Sequence, residues 1–199
     1  MSEFASEVPE FATHYYVAGR RPFLNLSDLE PARLSVVMAE LDTLARAGES
    51  ERRFGPRYMS LRTETEALLR RRFIERGGCP ERQSPHYFVL GDSPWFRGLY
   101  RNPAEVGISL RDLPAEATSV TWPDSIASMG LLANYGLPTF HKPPYGQVFL
   151  LDELPDVVER YGLPSGAVPT SYDGHQRQEF DHFVEIQLWS DEPLRAIGY

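Results

Sequence analysis

The sequence predicts an α+β domain, with N-terminal helices packed on a mostly antiparallel, twisted sheet. Three observations carry this expectation. Apolar residues recur at helical spacing up to about residue 78, short alternating runs bounded by prolines and glycines follow, and no internal repeat interrupts either half.

Residues 1–11 read as a loose acidic arm and residues 12–199 as a single domain. THYYVAGRRPFLNLSDL begins as a short aromatic strand and continues as a loop. SDLE at 27–30 has the capping-box form, and Pro31 suits a first helical turn. Leu34, Val37, Leu41 and Leu44 then mark an amphipathic helix that Gly48 ends. A charged loop over 49–56 leads to a second helix, RYMSLRTETEALLRRRFIERGG. Its inward residues are expected to be Tyr58, Leu61, Leu68, Leu69 and Phe73. Glu64, Glu66 and Glu75 are expected to balance Arg70–Arg72 on a solvated face.

The strands expected next are HYFVLG (86–91), EVGISL (105–110) and TSVTW (118–122), which Pro123 halts. Residues 123–145 read as an ordered loop with one short helix. GQVFLLDELPDVVERYGLP is a strand running into a helix, with Asp152 as N-cap and Gly162 as stop. A polar, flexible loop is expected over 163–178, and FVEIQLW is the last strand. Alternation there puts Phe183, Glu185 and Gln187 on one face and Val184, Ile186 and Leu188 on the other.

Composition bounds the function. With 199 residues, 42% hydrophobic and 24% charged, the chain can bury a core of its own. No run approaches the roughly 18 apolar residues of a membrane helix, and the acidic N-terminus lacks the pattern of a signal peptide. Cys79 is the only cysteine, which excludes an intramolecular disulfide and predicts a reducing, cytoplasmic location. The net charge of −8 argues against broad nucleic-acid binding and against anionic membranes. Lys142 is the only lysine, a usage that fits a GC-rich genome or selection for guanidinium chemistry.

Phosphate-binding glycine loops, HExxH and CxxC are absent from the sequence. His182 and Glu185 are three residues apart on a strand, so they face opposite ways and make a poor metal pair. Four segments stand out: THYY with His14, HYFVLGDSPWF with Tyr87 and an exposed-looking Trp95, TSVTWPDS with Asp124, and FVEIQLWSDEP with Glu185. A mid-strand acid is costly to bury unless paired, so Glu185 is either an edge-strand surface group or a site residue.

In this order the four segments resemble the ADP-ribosyltransferase fold, and within it the DNA-targeting ADP-ribosyltransferase toxins of toxin–antitoxin systems. THYY resembles that family's opening strand, HYFVLGDSPWF its FYF-type strand and turn, TSVTWPDS its T-D-type segment, and FVEIQLWSDEP the strand bearing the catalytic glutamate. The resemblance implies an NAD-dependent transferase that modifies a macromolecular acceptor. It implies Glu185 as catalytic carboxylate, His14 as ribose contact and Tyr87 as stacking ring. The family has an arginine in the turn after the FYF-type strand, where this chain has Asp92; Arg97 is then the expected pyrophosphate contact. The chemistry is sound, because a carboxylate beside the nicotinamide ribose stabilises the developing oxocarbenium-like charge.

Two other readings fit the same residues. Pro123-Asp124 with Glu185-Ile186-Gln187 has the form of a PD…ExQ metal-dependent nuclease. An acidic protein-binding or immunity-type module would instead use the aromatic loops DSPWF and TFHKPPYG as a surface for a protein partner.

Overall fold

A computed structural model of the chain describes residues 8–52, 54–164 and 182–199. Among them are six strands: β1 (Phe11–Val17), β2 (His86–Leu90), β3 (Pro103–Ser109), β4 (Thr118–Thr121), β5 (Phe149–Leu150) and β6 (Glu185–Leu188). The helices are α1 (Pro31–Arg46), α2 (Tyr58–Glu75), α3 (Pro94–Gly98), α4 (Ser125–Ser128), α5 (Leu154–Tyr161) and α6 (Glu192–Ala196). The strands form one sheet in the order β3-β1-β2-β6-β4-β5, antiparallel at every pairing. The fold class is α+β. Most of the loop expected over 163–178, including His175, lies outside the described residues.

Register sorts the side chains by parity. Phe88, Ile186 and Val120 stand directly opposite one another across β2, β6 and β4. With Ala12, Leu90 and Leu188 they form an apolar face, covered by Leu154, Val157 and Val158 of α5 and Leu194 of α6. One residue along, the rows Tyr87–Gln187–Ser119 and Thr13–Val89–Glu185–Thr121 occupy the other face. There α2 supplies the cover: Leu69 and Phe73 pack with Trp189, and buried Glu66 points to the sheet.

Four expectations need correction. Glu66 is buried rather than on a solvated face, because it answers two groups inside the protein, Arg62 and Tyr87. The SDLE capping box does not form. Asn25 caps a short 3₁₀ turn instead, Ser27 accepts a hydrogen bond from Arg62, and Asp28 is drawn to Arg82 and Ser84. Helix α1 forms with Pro31 in its first turn, yet it buries only Val37 and Ala45 and leaves Val36 48% exposed, whereas α2 buries five residues. At the chain's start, Phe11 already belongs to β1, and Val8 packs on the core.

Candidate functional site

Strand β1 pairs with β3 along its whole length but with β2 only through Ala12 and Thr13. Where that ladder stops, a side chain continues it. His14 Nδ1–H donates to the Tyr87 carbonyl at 2.9 Å, and His14 Nε2 accepts the Phe23 N–H at 3.2 Å. These two bonds select the neutral tautomer protonated on Nδ1. Burial pushes the His14 pKa down to about 4, against the opposing bond to Tyr87, so the ring is uncharged at neutral pH. Phe23 stacks on it with centroids 4.4 Å apart and holds φ 57°, the one positive φ outside glycine among the described residues. A conformation of this kind costs about 1–3 kcal/mol and persists where its surroundings impose it.

A cavity of about 290 Å³ opens at this fork. Tyr87, Phe183 and Glu185 line it from the polar face of the sheet, Arg62 from α2, Asp124 from the start of α4, and Leu137 and Phe140 from the segment beyond. Glu185 is 8% exposed on an interior strand, which removes the edge-strand explanation of this acid. Its Oε2 accepts the Ser125 N–H and a Gln187 Nε2–H, each at 3.0 Å. Gln187 is fixed in turn: it donates to Thr121 Oγ1 at 2.8 Å and accepts from Ser119 Oγ at 2.7 Å, and Trp189 Nε1 donates to Ser119 Oγ at 2.9 Å. Burial raises the Glu185 pKa, while the bonds from Ser125 and Gln187 and the Arg62 charge oppose the rise. Asp124 caps α4, accepting the Ala127 N–H at 3.0 Å. Burial, and then the Glu185 charge, raise its pKa to about 7.

Tyr87 is held from α2. Its hydroxyl donates to Glu66 Oε1 at 3.0 Å, and the Arg62 guanidinium lies over its ring, 4.8 Å from the centroid. Arg62 pairs with Glu66 at 2.9 Å and donates to Ser27, Tyr58 and Asn25 at 3.0, 3.2 and 2.8 Å. Burial raises the Tyr87 pKa well above its ordinary value, so the phenol stays a neutral donor.

No family model, curated protein or solved structure matches this chain. Among the described residues, no group of three or more His, Cys, Asp or Glu side chains is placed to hold a metal ion, and no helix is long and apolar enough to cross a membrane.

Of the residues singled out in the sequence, His14, Tyr87 and Glu185 line one cavity. His14 comes from the apolar face and the other two from the polar face; the fork between β1 and β2 lets the cavity touch both. Arg97 lies outside that lining. It sits half-exposed on α3, paired with Glu105 at 2.7 Å and Asp92 at 3.7 Å. Trp95 is 8% exposed and stacks with Phe183, contrary to its exposed look in the sequence. Sequence reasoning missed Arg62 and Glu66. The usable signal was their spacing of four on α2, on a line that continues to Leu69 and Phe73.

The arrangement has a defined chemical capacity. A carboxylate fixed by two N–H donors, in a wall shared with aromatic rings, faces a space where positive charge on a ligand is favoured. Among the described residues, the guanidinium groups bordering the same space are Arg62 and Arg52, which suit an anionic part of that ligand.

Proposed function

We propose that the cavity takes NAD as substrate and that the protein is an ADP-ribosyltransferase-like enzyme acting on a macromolecular acceptor. The observation that carries the reading is Glu185: an interior-strand carboxylate, held by Ser125 and Gln187, in a cavity wall shared with Tyr87 and His14. When NAD is bound, breaking its nicotinamide–ribose bond leaves positive charge on the ribose, which Glu185 stabilises. Tyr87 is a rigid ring wall, tied by its hydroxyl to Glu66 and by one face to Arg62. His14 has both nitrogens engaged with backbone groups, so it shapes the wall and holds the fork instead of bonding a ribose. Arg62 and Arg52, and not Arg97, take the pyrophosphate in this reading.

Calorimetry with NAD, together with assay of nicotinamide release, tests it on the wild type and Glu185→Gln. Both proteins are expected to bind saturably, and the variant to turn over about a hundred to a thousand times more slowly. Absence of any binding heat up to millimolar NAD would sink the proposal. The observation that favours a second reading, a metal-dependent nuclease, is that Asp124 and Glu185 border the same cavity. Stoichiometric Mn²⁺ retention in equilibrium dialysis, lost in Asp124→Asn, would favour that alternative.

A further inference from the structure

Asp124 and Glu185 meet from different elements. Glu185 projects from β6, and Asp124 stands at the start of α4, one residue before the Ser125 N–H that donates to Glu185 Oε2 at 3.0 Å. Both carboxyls line the same cavity. The charged and titratable groups around them are Arg62 and Glu66 from α2 and Tyr87 from β2. Their settings differ. Glu185 Oε2 accepts two N–H donors and feels the Arg62 charge, both of which favour its ionised form. Asp124 accepts the N–H groups of Ala127 and Ile126, but the charge beside it is the negative one of Glu185. Burial raises both carboxyls, so the two hold and release protons as a coupled pair, with Arg62 on the Glu185 side of it.

Resting on the transferase reading above, we propose that Asp124 is the proton acceptor of the transfer step and works as one unit with Glu185. The C1′–N bond to nicotinamide breaks with its electron pair staying on the ring nitrogen. A lone pair on the acceptor oxygen or nitrogen forms the new bond to C1′, and the proton shed by the acceptor passes to the Asp124 carboxylate. Asp124 serves only after losing its own proton, so turnover rises with pH through about 7.

Two measurements on the full chain decide the matter. The first needs no ligand: a carboxyl titration followed by ¹³C NMR. The wild type is expected to show one carboxyl titrating near neutrality. That signal should be missing in Asp124→Asn and displaced to lower pH in Glu185→Gln, where the neighbouring charge is gone. If every wild-type carboxyl finishes titrating in the ordinary range near pH 4, the two do not act as a unit and the proposal falls. The second is nicotinamide release from NAD with water as acceptor. Asparagine still caps a helix, so Asp124→Asn is expected to fold and to bind NAD like the wild type. It should release nicotinamide at least about a hundredfold more slowly, without the rise through neutral pH. An Asp124→Asn variant that keeps both rate and pH rise overturns the assignment. Failure of the wild type to bind NAD removes the transferase reading and the acceptor role with it, while the titration still decides whether the carboxyls are coupled.

Discussion

Phe88, Ile186 and Val120 form one row across three strands, and Tyr87, Gln187 and Ser119 form the next row, one residue along. The first row belongs to a face where burial of area does the work and neighbours are interchangeable hydrocarbons. On the second face a chain of hydrogen bonds links the buried polar groups: Trp189 to Ser119, Ser119 to Gln187, Gln187 to Thr121 and Glu185. One face tolerates approximate fits and resists holes. The other tolerates volume changes poorly and lost partners worse, because an orphaned buried donor or acceptor loses water without replacement. A cavity that needs a fixed carboxylate can be built only on the second.

The largest expected effect is on the apolar face. Phe88→Ala should lower stability by about 3–5 kcal/mol in denaturant unfolding, the cost of the lost ring plus the hole it leaves. Gln187→Leu comes next, at roughly 1–3 kcal/mol, although it adds apolar surface in a fully buried position. It strands the Ser119 hydroxyl and takes a donor from Glu185. A Gln187→Leu variant as stable as the wild type would show that the polar face is an ordinary core with decorative polarity.

Acid and base should separate the faces by sign. The His14 pKa is lowered to about 4 in the folded protein from 6.5, so on acidification the unfolded chain takes the proton first. The stability His14 contributes is complete above pH 6.5 and lost as the pH falls toward 4, by about 3 kcal/mol at most. Asp124 runs the other way. Its pKa is raised to about 7 from 3.8, so its contribution is complete below 3.8 and lost as the pH rises through 7. Unfolding midpoints measured across pH 4 to 8 should therefore lose their acid-side fall in His14→Asn and their neutral-side fall in Asp124→Asn. Two variants with the same pH profile would erase the distinction.

Parity within a strand is a local property, and the sequence displayed it: Glu185 and Gln187 face away from Ile186 and Leu188. Register between strands is not local. Nothing in THYY states that His14 would stand with Phe88 on the face opposite Glu185, or that β1 would leave β2 after Thr13. Charge balance misled for a related reason. Glu66 was counted against the nearby arginines on the solvated side of α2, but its partners are Arg62 below it and Tyr87 on another element. Helical spacing announced α1 correctly without saying how little that helix covers. Asp124 belongs to a segment singled out in the sequence, and in the fold it is both the cap of α4 and a residue bordering the cavity.

The smallest expected effect is also the one that tests where the cavity takes its positive charge. Arg97 is close in sequence to the turn after β2, which made it the natural pyrophosphate contact. In the fold its side chain is 50% exposed, and its partners Glu105 and Asp92 are 46% and 63% exposed. Solvent screens such a pair and leaves both side chains mobile, so it adds little. Arg97→Ala should not move the unfolding midpoint and, on the proposed transferase reading, should leave NAD affinity unchanged. On the same reading Arg62→Gln should weaken NAD binding, because it removes a guanidinium that borders the cavity and steadies Tyr87. If instead Arg97→Ala lost tenfold or more in affinity (about 1.4 kcal/mol of binding) with its midpoint unmoved, the ligand's anion would sit on α3. The charges on α2 would then serve only to hold Tyr87 in place, and the polar face would be a scaffold for the cavity instead of its chemistry.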